Sequence, residues 1–462
     1  MNALWTSGEI AAATGGTASA EFACSGVAFD SREIGKGDLF FALKGEHSDG
    51  HLFTDQAFSQ GAAGAVVSEQ TGHPHVDVTD TYNALNDLAT ASRKRADAKI
   101  IGVTGSAGKT GTKEALFAAL DRSSRGKAHR SVKSYNNHVG VPLSLARMPR
   151  EAKFAVFEMG MNHPGELSEL TKLVRPDIAI VTTIAPAHIG FFKDEAEIAK
   201  AKSEIFEGLS ESGAAIIPAD SPHFDLIATE ARKYTTNVIS FGFSESADIR
   251  VIDHVDAENG GTLVTAKLLR ASLCYTISQA GRHWIANSLA VLAAVETAGA
   301  DLAAAGLALA ELDGMKGRGA RQEISVEGGK ALLIDESYNA NPASMAATIE
   351  QLGSMASSRR VVVLGAMKEL GEQSDHYHKA LAVPLAAANI DYALLVGEEM
   401  KILSRSLASG VEGARKFDHC GSAEEALEAL RSYLRADDAV LVKGSNSVGL
   451  SKIVSELTAG EN

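Results

Sequence analysis

Cysteine is scarce in this sequence: Cys24, Cys274 and Cys420 are the three it carries in 462 residues. They lie far apart with no C-x-x-C spacing, which excludes a zinc ribbon or a disulfide framework and fits a reducing cytoplasm. No run of about 18 apolar residues exists, so no membrane insertion is expected. The opening Met1-Asn2-Ala3-Leu4-Trp5-Thr6-Ser7 lacks a basic flank ahead of an apolar core, so no secretory signal is expected either. Basic excess is also missing. The net charge of −14 argues against nucleic-acid binding, while leaving room for a local basic pocket that holds a phosphorylated substrate. No internal repeat is visible, and no G-x-G-x-x-G follows a strand, so a dinucleotide is not indicated.

What is present reads as an ordinary globular protein, 45% hydrophobic and 22% charged, long enough for about three domains. Its sharpest feature is the stretch Lys99-Ile100-Ile101-Gly102-Val103-Thr104-Gly105-Ser106-Ala107-Gly108-Lys109-Thr110. An apolar strand breaks into a small-residue turn and continues into a helix, which is the context of a phosphate-binding loop. Backbone N–H groups around Gly105 and Gly108 can close on phosphate oxygens at the helix N-terminus. Lys109 can reach the terminal phosphates of ATP, and the Thr110 hydroxyl can ligate Mg²⁺. The strict G-x-x-x-x-G-K-[ST] pattern needs glycine at 103, where valine stands, so this is a shortened variant.

Ahead of that loop, residues 1–97 alternate short strands and turns as a small α/β module. Ser31, Arg32 and Lys44 fall at loop ends, where they suit a diphosphate as well as they suit a plain surface turn. From 98 to 320, apolar strands alternate with helices, which predicts a parallel sheet with covered faces. Asn136 and Asn137 lie in an amide-rich loop or turn. Glu158 ends the strand Phe154–Phe157, a position suited to Mg²⁺ beside a phosphate loop. His188 follows the strand 178–184 at the same crevice edge, as a structural histidine or a second metal ligand.

A helix is predicted from about 194 to 209, with Lys202 on its apolar stripe between Ile198 and Ile205. Such a lysine either snorkels, which the stripe alone favours, or is placed for a task as a desolvated, modifiable amine. His283 and Asn287 share a helix face and could flank a nucleobase or merely pack and cap. Arg318, between two glycines, could reach a phosphate or belong to a solvated linker. Beyond it, residues 321–462 read as a doubly wound sheet, with Asp335 and Asn339 at one strand end and Lys443 and Ser445 at another.

Taken in order, these motifs resemble the Mur ligase family. Asp30-Ser31-Arg32 with Gly37-Asp38-Leu39-Phe40, the short phosphate loop, Tyr135-Asn136-Asn137, Glu158-Met159-Gly160, Ala185-Pro186-Ala187-His188 and Ala199–Phe206 follow the family order. So do Ser337-Tyr338-Asn339-Ala340-Asn341-Pro342 and Glu369-Leu370-Gly371-Glu372 with His378. No D-N-P-R motif is present. Departures occur at Ile189-Gly190-Phe191-Phe192, Trp284, Glu336 and Asn446.

The resemblance implies three α/β domains: a small uridine-nucleotide domain, a central P-loop ATPase-like parallel sheet and a C-terminal Rossmann-like domain. It implies an ATP- and Mg²⁺-dependent cytoplasmic ligase, expected as a monomer, that joins D-alanyl-D-alanine to a UDP-N-acetylmuramoyl-tripeptide through an acyl phosphate. Within it Lys109 neutralises phosphate charge, Thr110 and Glu158 hold one Mg²⁺, and His188 a second. Lys202 becomes an anionic ligand by carbamylation. His283 and Asn287 address adenine, Arg318 the phosphates, and Asp335, Asn339 and Lys443 belong to a closing lid. A folylpolyglutamate synthase-like amide ligase and a nucleotide-gated protein without ligase chemistry are the alternatives. The 1–97 module and the Ser337–Pro342 run weigh against the first, and the set Glu158, His188 and Lys202 against the second.

Overall fold

The computed structural model describes residues 3–45, 48–256 and 261–459. Three α/β units follow one another along the chain. Among the described residues, the first holds a five-stranded sheet in the order Thr17–Ala18, His75–Asp77, Gly64–Val67, Asp38–Phe41, Gly26–Ala28. The helix Thr81–Arg95, capped by Asp80, buries Leu85, Leu88 and Ala89. Leu143 and Ala146 of the next unit enter the same core, and Trp5 donates its indole N–H to the Ala146 carbonyl at 2.8 Å. The first unit is therefore fastened to the second by a shared apolar core.

The second unit is a nine-stranded sheet, again among the described residues. Strands Ala128–Arg130, Phe154–Glu158, Lys99–Thr104, Ile178–Val181, Ala214–Pro218, Asn237–Gly242 and Ile249–Asp256 are adjacent in that order and parallel. Covered on both faces, the central ones are continuous apolar runs, Ile178–Val181 being wholly buried. The expectation of a parallel sheet needs correction at one edge. Thr262–Lys267 and Ser272–Ile277 are antiparallel, because hairpin connections replace the helices that a parallel crossover requires. On their solvent side Ile252, Val255 and Leu263 stay exposed.

A six-stranded sheet builds the third unit, in the order Ala320–Val326, Gly329–Glu336, Asp438–Lys443, Arg359–Gly365, Tyr392–Val396, Lys416–Cys420. All pairs are parallel except the first, where Ala320–Val326 folds back on Gly329–Glu336. The expected long helix over 194–209 is also shorter. It ends at Ser203 and tightens into a 3₁₀ turn over Glu204–Gly208. No helix among the described residues is long and apolar enough to cross a membrane.

Candidate active site

The phosphate loop leaves the middle of the parallel sheet at its carboxyl edge, where open α/β sheets form a crevice. Val103 is buried within the strand and pairs with Glu158. A glycine at 103 therefore has no task here, and the turn begins only at Gly105. A Cβ on Gly105 would overlap the Thr182 hydroxyl, which donates to the Ala107 carbonyl at 2.6 Å and so pins the loop from the next strand. Ser106 Oγ is engaged with both backbone groups of Ala185, at 2.8 and 3.0 Å. Gly108 has φ 80°, and Asn287 occupies the space its Cβ would need. The helix Lys109–Ser124 starts there with its first N–H groups free to meet an anion. Lys109 Nζ meanwhile donates to the Gly105 carbonyl at 2.7 Å, and burial pushes its ammonium below the ordinary lysine range.

The two neighbouring strands place opposite chemistry on either side. Glu158 is 1% exposed; its Oε1 accepts from Asn136 Nδ2 at 2.8 Å, whereas Oε2 has no hydrogen-bond partner. An ionisable oxygen buried and unsatisfied beside a phosphate loop fits a hard cation such as Mg²⁺. The buried Thr110 hydroxyl, 3.4 Å from Ser134 Oγ, is a second oxygen of the right kind. On the other side His188 turns its Nδ1 to Glu369 of the third unit. That contact holds the Glu369 carboxyl below its usual range, and the adjacent backbones touch, Gly190 N donating to Glu369 O at 3.1 Å.

Lys202 does not snorkel. It is 1% exposed, and no hydrogen bond or carboxylate meets its ammonium among the described residues. Burial, together with the charge of Lys109, drives its pKa well below the ordinary value. The stripe position that favours snorkelling fails because the helix end after Ser203 is covered by Ile205 and Phe206, both wholly buried.

The other expected residues divide. Asn287 lies against the loop at Gly108. His283 is partly buried near Gly281, with its pKa lowered by burial, and Trp284 covers Gly111 of the phosphate-loop helix. Arg318 is no solvated linker residue: it stacks 4.3 Å over Tyr338 and reaches Ser134 Oγ at 3.4 Å. Asp335 is engaged on both oxygens, by Gly317 N at 2.7 Å and by Ser337. Lys443 is buried between Glu336 and the Asn339 carbonyl, both at 3.1 Å. Asn339 itself is exposed, and Ser445 Oγ accepts from Lys368 N at 3.0 Å.

Asn137 caps the Gly140–Ala146 helix region through Gly140 N at 2.9 Å. In the first unit Ser31 donates to Gln56 at 3.0 Å, Arg32 forks onto Asp30, and Lys44 stands 3.5 Å from Asp49. No hydrogen bond or ion pair joins Lys44 to Ser31 or Arg32 among the described residues.

Four contributors received no role from sequence, although Asn341 and Glu369 stand in two of the motifs that carry the family resemblance. Thr182 pins the loop; Asn341, from the third unit, donates to the Ser106 carbonyl at 3.1 Å; Glu369 meets His188; and Lys113 lies wholly buried behind Glu158. Lys113 left a further signal, since it falls on the stripe of Leu116 and Leu120.

A phosphate loop between a buried strand-end carboxylate and a buried unpaired lysine, closed from a third domain, defines a nucleotide-dependent ligase site. The chain belongs to the Mur ligase family: the Mur ligase family catalytic domain matches residues 24–104, the Mur ligase middle domain 103–295, and the Mur ligase glutamate ligase domain 320–446. It is 33% identical over 458 residues to the UDP-N-acetylmuramoyl-tripeptide–D-alanyl-D-alanine ligase of Rickettsia prowazekii, covering 98% of this chain and 99% of that one. A crystal structure of MurF from Acinetobacter baumannii superposes with a TM-score of 0.83 at 30% identity over 98% of this chain and 99% of that chain. The MurF ligase of Thermotoga maritima in complex with ADP gives a TM-score of 0.76 at 27% identity, covering 94% and 97%.

Proposed function

We infer that this chain is an ATP-dependent carboxylate–amine ligase that adds D-alanyl-D-alanine to a UDP-N-acetylmuramoyl-tripeptide in peptidoglycan precursor synthesis. The observation that carries it is the crevice where the phosphate loop faces Glu158, joined to a full-length likeness to ligases of that name. The tripeptide's terminal carboxylate attacks the γ-phosphorus of ATP, forming an acyl phosphate and releasing ADP. The D-alanyl-D-alanine amine then adds to the acyl carbon, and the tetrahedral adduct expels phosphate as the peptide bond forms.

The residues work by positioning and charge. The N–H groups of 105–110 bind the phosphates, and Lys109 exchanges the Gly105 carbonyl for phosphate oxygen. Thr110 and Glu158 would hold magnesium, which would supply neutralisation of the charge that develops on the transferred group. His188, whose Nδ1 is taken by Glu369, is the weaker candidate ligand for a cation that prefers oxygen. Lys202, carbamylated as the family resemblance implies, would replace an unpaired buried ammonium with an anion that Lys109 can meet. Asn287 and His283 address the adenine, and Arg318 the phosphates. Asn136 orients Glu158, and Asn137 fixes the loop. Asp335 holds the hinge at Gly317, while Asn339, Lys443 and Ser445 border a lid that excludes water from the acyl phosphate.

Ser31, Arg32 and Lys44 take the uridine diphosphate. The domains proposed are 1–97, 98–320 and 321–462. The three free cysteines suit a cytoplasmic enzyme, which is proposed to act as a monomer. Phosphate release should require ATP, the UDP-linked tripeptide and D-alanyl-D-alanine together; hydrolysis of ATP with no dependence on the amine would sink the assignment. Running the diaminopimelate and lysine tripeptides side by side reads the third residue's specificity.

A further inference from the structure

Lys113 is wholly buried in the phosphate-loop helix, one turn after Lys109, and the mechanism above gives it no task. Its ammonium donates to the Lys133 carbonyl and lies 3.4 Å from the Ser131 carbonyl. It is 2.8 Å from Glu114 Oε1 and 3.9 Å from Glu158 Oε2. Glu114 is held in turn by Arg130 at 2.5 Å. A buried ammonium needs such partners, but carboxylates alone would have supplied them. Here two of them are backbone carbonyls of one short segment, and Lys133 is kept at φ 48°, a left-handed conformation that residues with a Cβ rarely adopt.

That segment, residues 131–136, carries the contacts that shape the cation site. Ser131 Oγ accepts from Glu158 N at 3.0 Å. Ser134 Oγ stands 3.4 Å from both Thr110 Oγ1 and Arg318 Nη2. Asn136 orients Glu158. On the outer side Lys133 Nζ and Tyr135 Oη reach Glu33 of the first unit at 2.5 and 3.2 Å. One segment thus joins the first unit to the phosphate loop, Glu158 and Arg318, and Lys113 is its anchor from inside.

We propose that Lys113 is a positioning residue for phosphoryl transfer: its ammonium pins residues 131–136, and through Asn136 and Ser134 it sets the Glu158 carboxylate and the Thr110 hydroxyl for a divalent cation. The cation part rests on the reading of Glu158 given above; the hold on the segment does not. The test compares the full-length wild type with Lys113→Met, which keeps the stem and removes the charge. Metal-free hydrogen exchange at 131–136 should quicken by about tenfold or more while the central strands stay protected. The Mg²⁺ concentration for half-maximal phosphate release should rise about tenfold, with the KM for D-alanyl-D-alanine unchanged. Wild-type exchange at 131–136 overturns the proposal whatever happens to turnover.

If Lys113→Met does not fold, Glu114→Gln, which loosens the same ammonium, must show the same segment-specific exchange at smaller amplitude, and unchanged exchange there overturns it. A Glu158→Gln enzyme with an unaltered Mg²⁺ response would remove the cation reading alone. The exchange arm still decides the role of Lys113.

Discussion

The crevice of the middle sheet and the inner strands of the third sheet both bury carboxylates and lysines, and they treat them oppositely. Around the phosphate loop, Glu158 Oε2 has no hydrogen-bond partner, with only the Lys113 ammonium at 3.9 Å, and Lys202 has no ion pair among the described residues. In the third sheet, Asp438 receives Arg359 through two nitrogens at 2.8 and 2.7 Å and Arg435 N at 2.8 Å. Asp335 and Lys443 are satisfied in the same way. Burying an unpaired charge is costly, and folding alone gives no reason to retain it. Charges left open mark where a ligand completes the molecule; charges closed by the protein hold the fold.

Lys202→Ala breaks this contrast most severely. Turnover should fall on the order of 10³-fold, with partial recovery from added short carboxylates or bicarbonate. Stability should hold or rise, because the lost ammonium had no partner. Turnover at the wild-type level in a phosphate-release assay would discard the carbamate. Glu158→Gln comes next, with kcat lower by about 10²-fold and the Mg²⁺ response blunted, yet with a melting temperature close to wild type. A collapse of folding would move Glu158 into the other class.

Asp438→Asn should do the reverse. It weakens the fork that a half-buried Arg359 makes on a buried carboxylate and should cost about 1.5 kcal/mol in urea unfolding, while activity per folded molecule stays unchanged. A selective loss of turnover would contradict the division.

The smallest effect concerns pH. His129 Nε2 donates to the Ser144 carbonyl, 2.7 Å away, and burial lowers its pKa to about 4. Its folded value lies below the unfolded one, so protonation favours the unfolded chain. Stability is full above about pH 6.5 and declines as pH falls toward 4. A His129→Gln variant should show a flatter melting-temperature profile over that window, and an unchanged slope would assign the acid sensitivity elsewhere.

Much of this was legible in the chain because its cues are local. Strand, glycine turn and helix at 99–124 depend on residues within a few positions of each other, and so does a carboxylate ending a strand at Glu158. The antiparallel edge was not legible, since Val238–Ile277 reads as apolar strands whichever way they pair. Lys113 and Lys202 show the same stripe anomaly. Lys113 escaped notice because polar residues in a helix's first turns are ordinary where an anion binds.

Sequence by itself determined the phosphate loop, the order of three α/β units and the family to which the chain belongs, because periodicity and turn chemistry act over short spans. Tertiary structure alone decided which buried charges are answered. Asn341 reaches Ser106 across 235 residues and Arg318 reaches Ser134 across 184. Such pairings are set by how distant parts of the chain pack, which no local pattern encodes.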